Sequence, residues 1–256
     1  MGTITFRFYG DLNDFLPAAT RGRDLERPES AGGSVKDGIE AFGVPHVEVD
    51  LVVINGEPRD FAALLAPGDR VAVLPDLGAL AGAPGTRLLP AIDHPPRFVL
   101  DIHLGKLAAG LRLLGFDTLY RNDWPDEDLA RVSAGEHRLL LTRDIGLLKR
   151  KQVWHGAWVR STSPPEQVRE ILRRFRLEDQ VQPFTRCMRC NGFLEDRRKE
   201  EVAERVPFRS REAFQEFYQC IGCGRVYWQG SHFAGLLRRV EELTRTPRGP
   251  FFDREV

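Results

Sequence analysis

Two Cys-x-x-Cys pairs constrain the fold of this chain more than any other feature of its sequence. The first pair is Cys187 with Cys190, and the second is Cys220 with Cys223. Each pair forms a tight turn that directs two sulfurs to one point, and four thiolates complete the tetrahedral coordination of structural zinc sites. The pattern therefore predicts that the two turns meet around Zn²⁺ and form a zinc ribbon.

The number and spacing of the cysteines disfavour other uses of these thiols. The chain has 4 cysteines, and the two pairs account for all of them, so none is left for a disulfide framework. A redox dithiol would stand alone near a βαβ unit, and iron–sulfur clusters follow other spacings. Four thiolates close the coordination sphere, so we expect the zinc to be structural.

Composition indicates a globular protein that does not cross a membrane. The chain is 42% hydrophobic and 29% charged, and it shows neither an apolar run of bilayer length nor a secretory signal, which predicts a cytoplasmic protein. Residues 1–90 carry 8 basic and 13 acidic side chains, and the remainder carries 29 and 24. The basic half fits two interpretations: a nucleic-acid partner, or an ordinary solvated surface.

The N-terminal segment predicts a small α+β domain. Thr3–Tyr9 alternates like a strand, Ser34 is placed to cap a helix over Val35–Ala41, and Asn55-Gly56 is a strong hairpin signal before the strand Arg70–Leu74. This order resembles the ubiquitin-like β-grasp fold of small sulfur carriers. Because the chain continues past the point where a carrier would end, we expect a structural or docking domain with a protein partner.

The middle of the chain alternates strands with helices. The predicted strands are Phe98–Leu100, Asp117–Tyr120, Leu139–Leu141 and Gly156–Val159, and the predicted helices span about His103–Leu114, Pro125–Ala134, Ile145–Lys151 and Glu166–Phe175. Such an alternation favours an α/β fold with a parallel sheet and right-handed crossovers.

Acidic residues follow two of these strands and open the helix between them. Asp101 and Asp144 come after strands, and Asp126, Glu127 and Asp128 begin a helix. Carboxylates gathered at the carboxyl edge of a parallel sheet repel one another unless a divalent cation such as Mg²⁺ lies between them. The alternative is that these acids cap helices or stabilise helix N-termini on a solvated face. The spacing alone leaves both interpretations open.

Four segments resemble one known family: residues 101–117, 138–144, 186–191 and 226–232. They are similar to the RNase family named for the C-terminal domain of the mutator-seven exonuclease, over residues 97 to about 240. Several bacterial members also carry a ubiquitin-like domain in front. The resemblance implies a PIN-like nuclease fold whose acids hold Mg²⁺ or Mn²⁺.

The resemblance also implies which acids are catalytic metal ligands. These are Asp101, Asp126 and Asp144, because the family pattern places an acid three residues before a helix leucine, here Asp126 before Leu129. Asp128 is the alternative to Asp126. The segment Asn122–Pro125 departs from the family pattern, so we expect the chain to follow a different local path there.

Basic side chains near these motifs are candidates for binding nucleic acid. They are Lys106, Arg112, Arg143 and Arg189. An arginine beside an acid, as Arg143 is beside Asp144, binds a phosphate or pairs with a neighbouring carboxylate. The aromatic residues near the second cysteine pair suit single-stranded RNA or, as we expect for most of them, cover the small core of the ribbon.

The sequence thus predicts three domains and one linker: a β-grasp domain at 1–75, the linker at 76–96, a PIN-like nuclease domain at 97–180, and a zinc ribbon with a terminal helix at 181–243. The predicted function is metal-dependent hydrolysis of RNA, with the ribbon helping to bind the strand. The alternative is a non-catalytic RNA-binding or assembly module.

Overall fold

The structure is a computed structural model, and it describes residues 2–28, 33–75 and 87–244. Its strands are β1 (Thr3–Phe8), β2 (Asp24–Pro28), β3 (Leu51–Ile54), β4 (Glu57–Arg59), β5 (Arg70–Leu74), β6 (Phe98–Leu100), β7 (Thr118–Tyr120), β8 (Leu139–Thr142), β9 (Gly156–Trp158), β10 (Leu194–Arg197), β11 (Phe217–Cys220) and β12 (Val226–Trp228). Its helices are α1 (Val35–Ala41), α2 (Gly105–Leu113), α3 (Asp126–Glu136), α4 (Ile145–Leu148), α5 (Pro164–Phe175), α6 (Lys199–Val202), α7 (Phe208–Ala213) and α8 (Phe233–Thr244).

The N-terminal strands form one mixed sheet in the order β2-β1-β5-β3-β4. β1 and β5 are parallel, and the other neighbouring strands are antiparallel. Helix α1 begins at Ser34, whose hydroxyl accepts from the backbone N–H of Asp37 while the Asp37 carboxylate accepts from the backbone N–H of Ser34. The buried residues Phe6 and Ile39 belong to the core between sheet and helix. The predicted β-grasp fold is confirmed.

The chain divides into two compact units, and the first joins the N-terminal domain with Trp124–Trp158. In this unit β8 and β9 pair in parallel. The buried carboxylate of Glu48 accepts from the backbone N–H of Trp158 at 2.6 Å, and Nε2 of His46 lies 2.9 Å from the carbonyl oxygen of Val153. Lys149 donates to the carbonyl oxygen of Glu40. These bonds bind β9 and the turn before it to the β-grasp domain.

The second unit contains His94–Asp123 and the chain from Val159 onward. β6 and β7 pair in parallel, and α2 and α5 pack together. Glycine at 115 has φ +93, which ends α2 in the left-handed conformation that glycine favours. The last strands form an antiparallel sheet in the order β10-β11-β12. Its small core is Val202, Val206 and Phe217.

Several element boundaries differ from the sequence predictions. Helix α4 ends at Leu148, three residues early, and the insertion between the cysteine pairs folds into α6 and α7. The predicted linker lies partly outside the described residues, at 76–86. Among the helices that the structure describes, none is long and apolar enough to cross a bilayer.

Candidate metal sites

The four cysteines form a cluster suited to one metal ion. Their sulfur atoms all lie within 4.8 Å of one another. Sγ of Cys187 is 3.7 Å from that of Cys223, and Sγ of Cys190 is 3.3 Å from that of Cys220. A tetrahedral ion with Zn–S bonds of about 2.3 Å places its sulfurs about 3.8 Å apart. The cluster therefore fits a structural zinc site after small adjustments.

Backbone hydrogen bonds shape the two cysteine turns. In the first, the N–H of Cys187 donates to the carbonyl of Gly192, and the N–H of Asn191 donates back to the carbonyl of Cys187. Asn191 has φ 74, a conformation that asparagine tolerates. A Cβ atom on Gly192 would lie 2.9 Å from Sγ of Cys220, so a side chain there would displace a metal ligand.

Tyr227 supports the cluster through a hydrogen bond to one of its cysteines. Its hydroxyl lies 3.0 Å from Sγ of Cys187. Burial raises the pKa of the Cys187 thiol, but hydrogen bonds from Tyr227 and from the N–H groups of Cys190 and Arg189 outweigh burial and lower that pKa to about 6. Burial raises the pKa of Cys190 to about 12, and hydrogen bonds with the side chains of the other three cysteines act in the same direction. One thiolate thus forms readily, and metal binding would release the remaining protons.

The first cysteine turn is bound to helix α2 and strand β7. Arg112 on α2 is 4% exposed, and its guanidinium donates to the carbonyl oxygens of Thr118, Met188 and Arg189. Burial lowers the pKa of Arg112, and the nearby groups Cys190, Cys187 and Asp117 oppose that shift. The guanidinium stays charged at neutral pH because the ordinary pKa of arginine is so high. Arg112 therefore holds the turn in place, a role that differs from the predicted contact with nucleic acid.

Asn191 makes a second link between the turn and β7. Its side-chain carbonyl accepts from the N–H of Thr118 at 2.9 Å, and its amide donates to Asp117 at 2.8 Å. No sequence signal indicates this bridge or that of Arg112 to the turn, because each joins residues more than 70 positions apart.

Asp101 directly follows the buried strand β6, and Asp144 follows the buried strand β8 after one intervening residue, Arg143. Asp101 comes after β6, is 6% exposed, and begins a 3-10 turn that its side chain does not cap. Tyr120 fixes that turn by donating to the carbonyl oxygen of Ile102 at 2.8 Å. Asp144 is exposed and caps α4, accepting from the N–H of Gly146 at 2.7 Å. The capping interpretation thus applies to Asp144, and this does not exclude a metal.

Asp126 and Asp128 lie in the first turn of α3, as predicted. Asp126 is 3.6 Å from a guanidinium nitrogen of Arg150, and Asp128 pairs with Arg131 one turn further along the helix. Both pairs are partly exposed, so each contributes little to stability. A divalent cation, which carries twice the charge of an arginine, can compete with these weak ion pairs for either carboxylate.

The remaining basic candidates are exposed or half-buried, whereas the aromatic residues near the second cysteine pair are half-buried or buried. Lys106 and Arg189 are exposed and Arg143 is half-buried. Phe217 is buried, and Trp228 packs against the same core. The expectation that most rings cover the ribbon core is confirmed for these two.

Comparisons with known families agree with this architecture. The family model described as the Mut7-C RNAse domain matches residues 96–240, and the one described as Mut7-C ubiquitin matches residues 1–80. No curated protein and no solved structure matched the chain. With the β-grasp sheet, the parallel strand pairs and the cysteine cluster, these matches confirm the predicted PIN-like fold class. The chain belongs to the Mut7-C RNase domain family, which indicates a nuclease-like function, and it carries the ubiquitin-like domain of that family at its N-terminus.

Proposed function

We propose that this protein is a metal-dependent ribonuclease that hydrolyses phosphodiester bonds in single-stranded RNA. The observation that carries the proposal is the position of Asp101 and Asp144. Each follows a fully buried strand of a parallel pair, β6 or β8, inside the segment that matches an RNase domain. Carboxyl ends of parallel strands are where α/β proteins place their binding groups.

Asp101, Asp126 and Asp144 are the proposed ligands of Mg²⁺ or Mn²⁺, with Asp128 as the alternative to Asp126. Carboxylate oxygens are the hard ligands that these ions prefer, so the donor set fits. When bound, the ion offsets negative charge on the phosphate and lowers the pKa of water. Zn²⁺ is the proposed occupant of the cysteine cluster, where it would hold the ribbon together.

The side chains of the chain itself would orient the substrate. Asp101 is buried, so its charge acts with little screening by solvent. Lys106 is exposed on the first turn of α2 and Arg143 precedes Asp144, so both are proposed to bind backbone phosphates. Arg189, exposed between the first two cysteines, would bind a more distant phosphate. The ubiquitin-like domain is proposed to bind a protein partner.

The test is cleavage of an end-labelled single-stranded RNA by zinc-loaded protein, with Mg²⁺, with Mn²⁺ and with neither. We expect cleavage only with an added ion, and we expect its loss in Asp101→Asn, which keeps the size of the side chain. Cleavage by Asp101→Asn at the wild-type rate would contradict the proposed ligand set.

A second candidate function is a non-catalytic RNA-binding module. It is favoured by the structural use of the acids, since Asp144 caps α4 and Asp126 and Asp128 pair with arginines. This candidate predicts that the folded, zinc-loaded protein binds RNA but cleaves none with either ion.

A further inference from the structure

Phe193 is an exposed aromatic residue at the edge of the first cysteine turn. It is 52% exposed, whereas Phe217 in the same ribbon is fully buried. Its backbone pairs with Arg186 in an isolated antiparallel bridge that closes the turn. The main chain at Phe193 is therefore fixed by the turn, although its side chain is not part of the ribbon core.

One face of the Phe193 ring is covered by a guanidinium group that is itself held in place. The central carbon of the Arg186 guanidinium lies 4.2 Å from the ring centroid. Arg186 donates to the carbonyl oxygens of Gly115 and Asn191, and it pairs with Asp117 at 3.5 Å. The arginine is thus bound on several sides, which pre-organises the ring, and Phe193 stays 52% exposed with the guanidinium in place.

An exposed apolar side chain lies close to Phe193 in the chain fold of the ribbon. Ile221, directly after Cys220, is 55% exposed, and its N–H donates to the carbonyl oxygen of Phe193. Segments 186–193 and 220–226 contain three arginines and no acidic residue. A zinc ion with four thiolates carries a net charge of about minus two, which those arginines offset. The surface is therefore neither strongly basic nor acidic, and its distinctive group is the ring.

We propose that the exposed face of Phe193 stacks against an unpaired base of single-stranded RNA. Unstacked bases bind aromatic side chains and arginine planes, and this site combines both in a fixed pair. The proposal rests on the proposed function, because it names the residue with which the ribbon would hold the strand. Exposed Arg189 would bind the adjoining phosphate.

The competing explanation is that Phe193 only covers Arg186. In that case its removal lowers the stability of the turn and leaves RNA affinity unchanged. The two explanations differ in a property that can be measured directly, which is the contact between the ring and a base.

The test measures binding of a single-stranded RNA that contains 2-aminopurine, without added Mg²⁺ or Mn²⁺, so that cleavage plays no part. We expect stacking to quench the 2-aminopurine fluorescence, and we expect Phe193→Ala to reduce both the quenching and the affinity by about five-fold or more. Phe193→Trp should retain both. Phe208→Ala is the matched control, because Phe208 is 67% exposed and lies under Arg211 in the same ribbon.

Zinc content and melting temperature establish that each variant is folded. Wild-type affinity and quenching in a folded Phe193→Ala would overturn the proposal, as would equal losses in Phe208→Ala and Phe193→Ala. Binding of duplex RNA with the same dependence on Phe193 would also overturn it, because duplex bases are not free to stack. Failure of the ribonuclease proposal appears separately, as absent cleavage with binding intact.

Discussion

Nη1 of Arg112 donates to the carbonyl oxygen of Arg189 across 2.9 Å, which joins helix α2 to the turn between Cys187 and Cys190. The same nitrogen also reaches the carbonyl of Met188. Helix α2 begins a few residues after Asp101. The cysteine turn and the segment that carries a proposed catalytic acid are therefore parts of one hydrogen-bonded structure.

Replacing Arg112 should weaken the zinc site without touching a ligand. Arg112→Ala leaves three carbonyl acceptors without their donor, and the buried one, on Thr118, costs about 1–3 kcal/mol when it is unsatisfied, whereas the two partly buried ones cost less. We expect zinc to pass to a chromogenic chelator at least about ten-fold faster, because residues that hold metal ligands in place typically change metal binding by that much. Arg131→Ala, which removes an exposed helical arginine, is the control. Identical release from both variants would show that Arg112 does not support the turn.

Removing the hydroxyl of Tyr227 should shift zinc binding to higher pH. The hydrogen bond of Tyr227 helps to lower the pKa of Cys187, to about 6. Tyr227→Phe raises the pKa of Cys187 toward the ordinary pKa of cysteine. Protons then compete with zinc for the thiolate up to a higher pH. The measurement is zinc affinity against pH, with about a ten-fold loss expected at neutral pH. An unchanged pH profile would mean that the backbone donors alone hold the thiolate.

The protein should lose stability in mild acid through His46. Burial lowers the pKa of His46 below its ordinary value of 6.5, and the nearby charge of Lys36 adds to this, against an opposing hydrogen bond with Glu40. A lowered pKa means that the folded state resists protonation, so this contribution is intact above pH 6.5 and is lost as pH falls through the lower folded pKa.

The corresponding measurement is the fall in melting temperature between about pH 7.5 and about pH 5.5. We expect a smaller fall for His46→Gln than for wild type, with exposed His103→Gln resembling wild type. A residual effect should remain, because burial also lowers the pKa of His155. If wild type and His46→Gln lose the same number of degrees, His46 does not sense pH.

The choice between Asp126 and Asp128 can be made by two matched variants. Both acids lie in the first turn of α3, and each variant removes one partly exposed ion pair with an arginine, so the two substitutions are closely matched. We expect metal-dependent cleavage to fall at least about a hundred-fold in Asp126→Asn and much less in Asp128→Asn. The reverse ranking would reassign the third ligand to Asp128.

Local signals in the sequence predicted much of the fold. Ser34 and Asp37 specify the start of α1, Asn55-Gly56 closes a hairpin with φ 52 and φ 89, and Gly115 ends α2. These features depend on neighbours in the chain, so a sequence displays them. The cysteine cluster was predictable for a related reason, since four thiols in two pairs have few other uses.

Features that depend on distant pairing were not predictable. Buried Glu48 accepts from Trp158, 110 positions away, and no local pattern distinguishes it from a surface acid. Strand β2 lies at the sheet edge, where Asp24–Pro28 alternates between exposed and half-buried residues and shows no apolar face. The sequence made Arg112 a candidate for binding phosphate. Its acceptors are instead main-chain carbonyls, which a sequence pattern does not identify.

The most direct test of the account is the initial rate of single-stranded RNA cleavage by zinc-loaded protein as Mn²⁺ is added, for wild type and Asp144→Asn. Asparagine also caps helices, so the variant should keep its fold and its zinc. The account predicts a wild-type rate that rises with Mn²⁺ and saturates, and no such rise in Asp144→Asn. Equal rates in the two proteins, or wild-type cleavage that is independent of divalent ions, would contradict it.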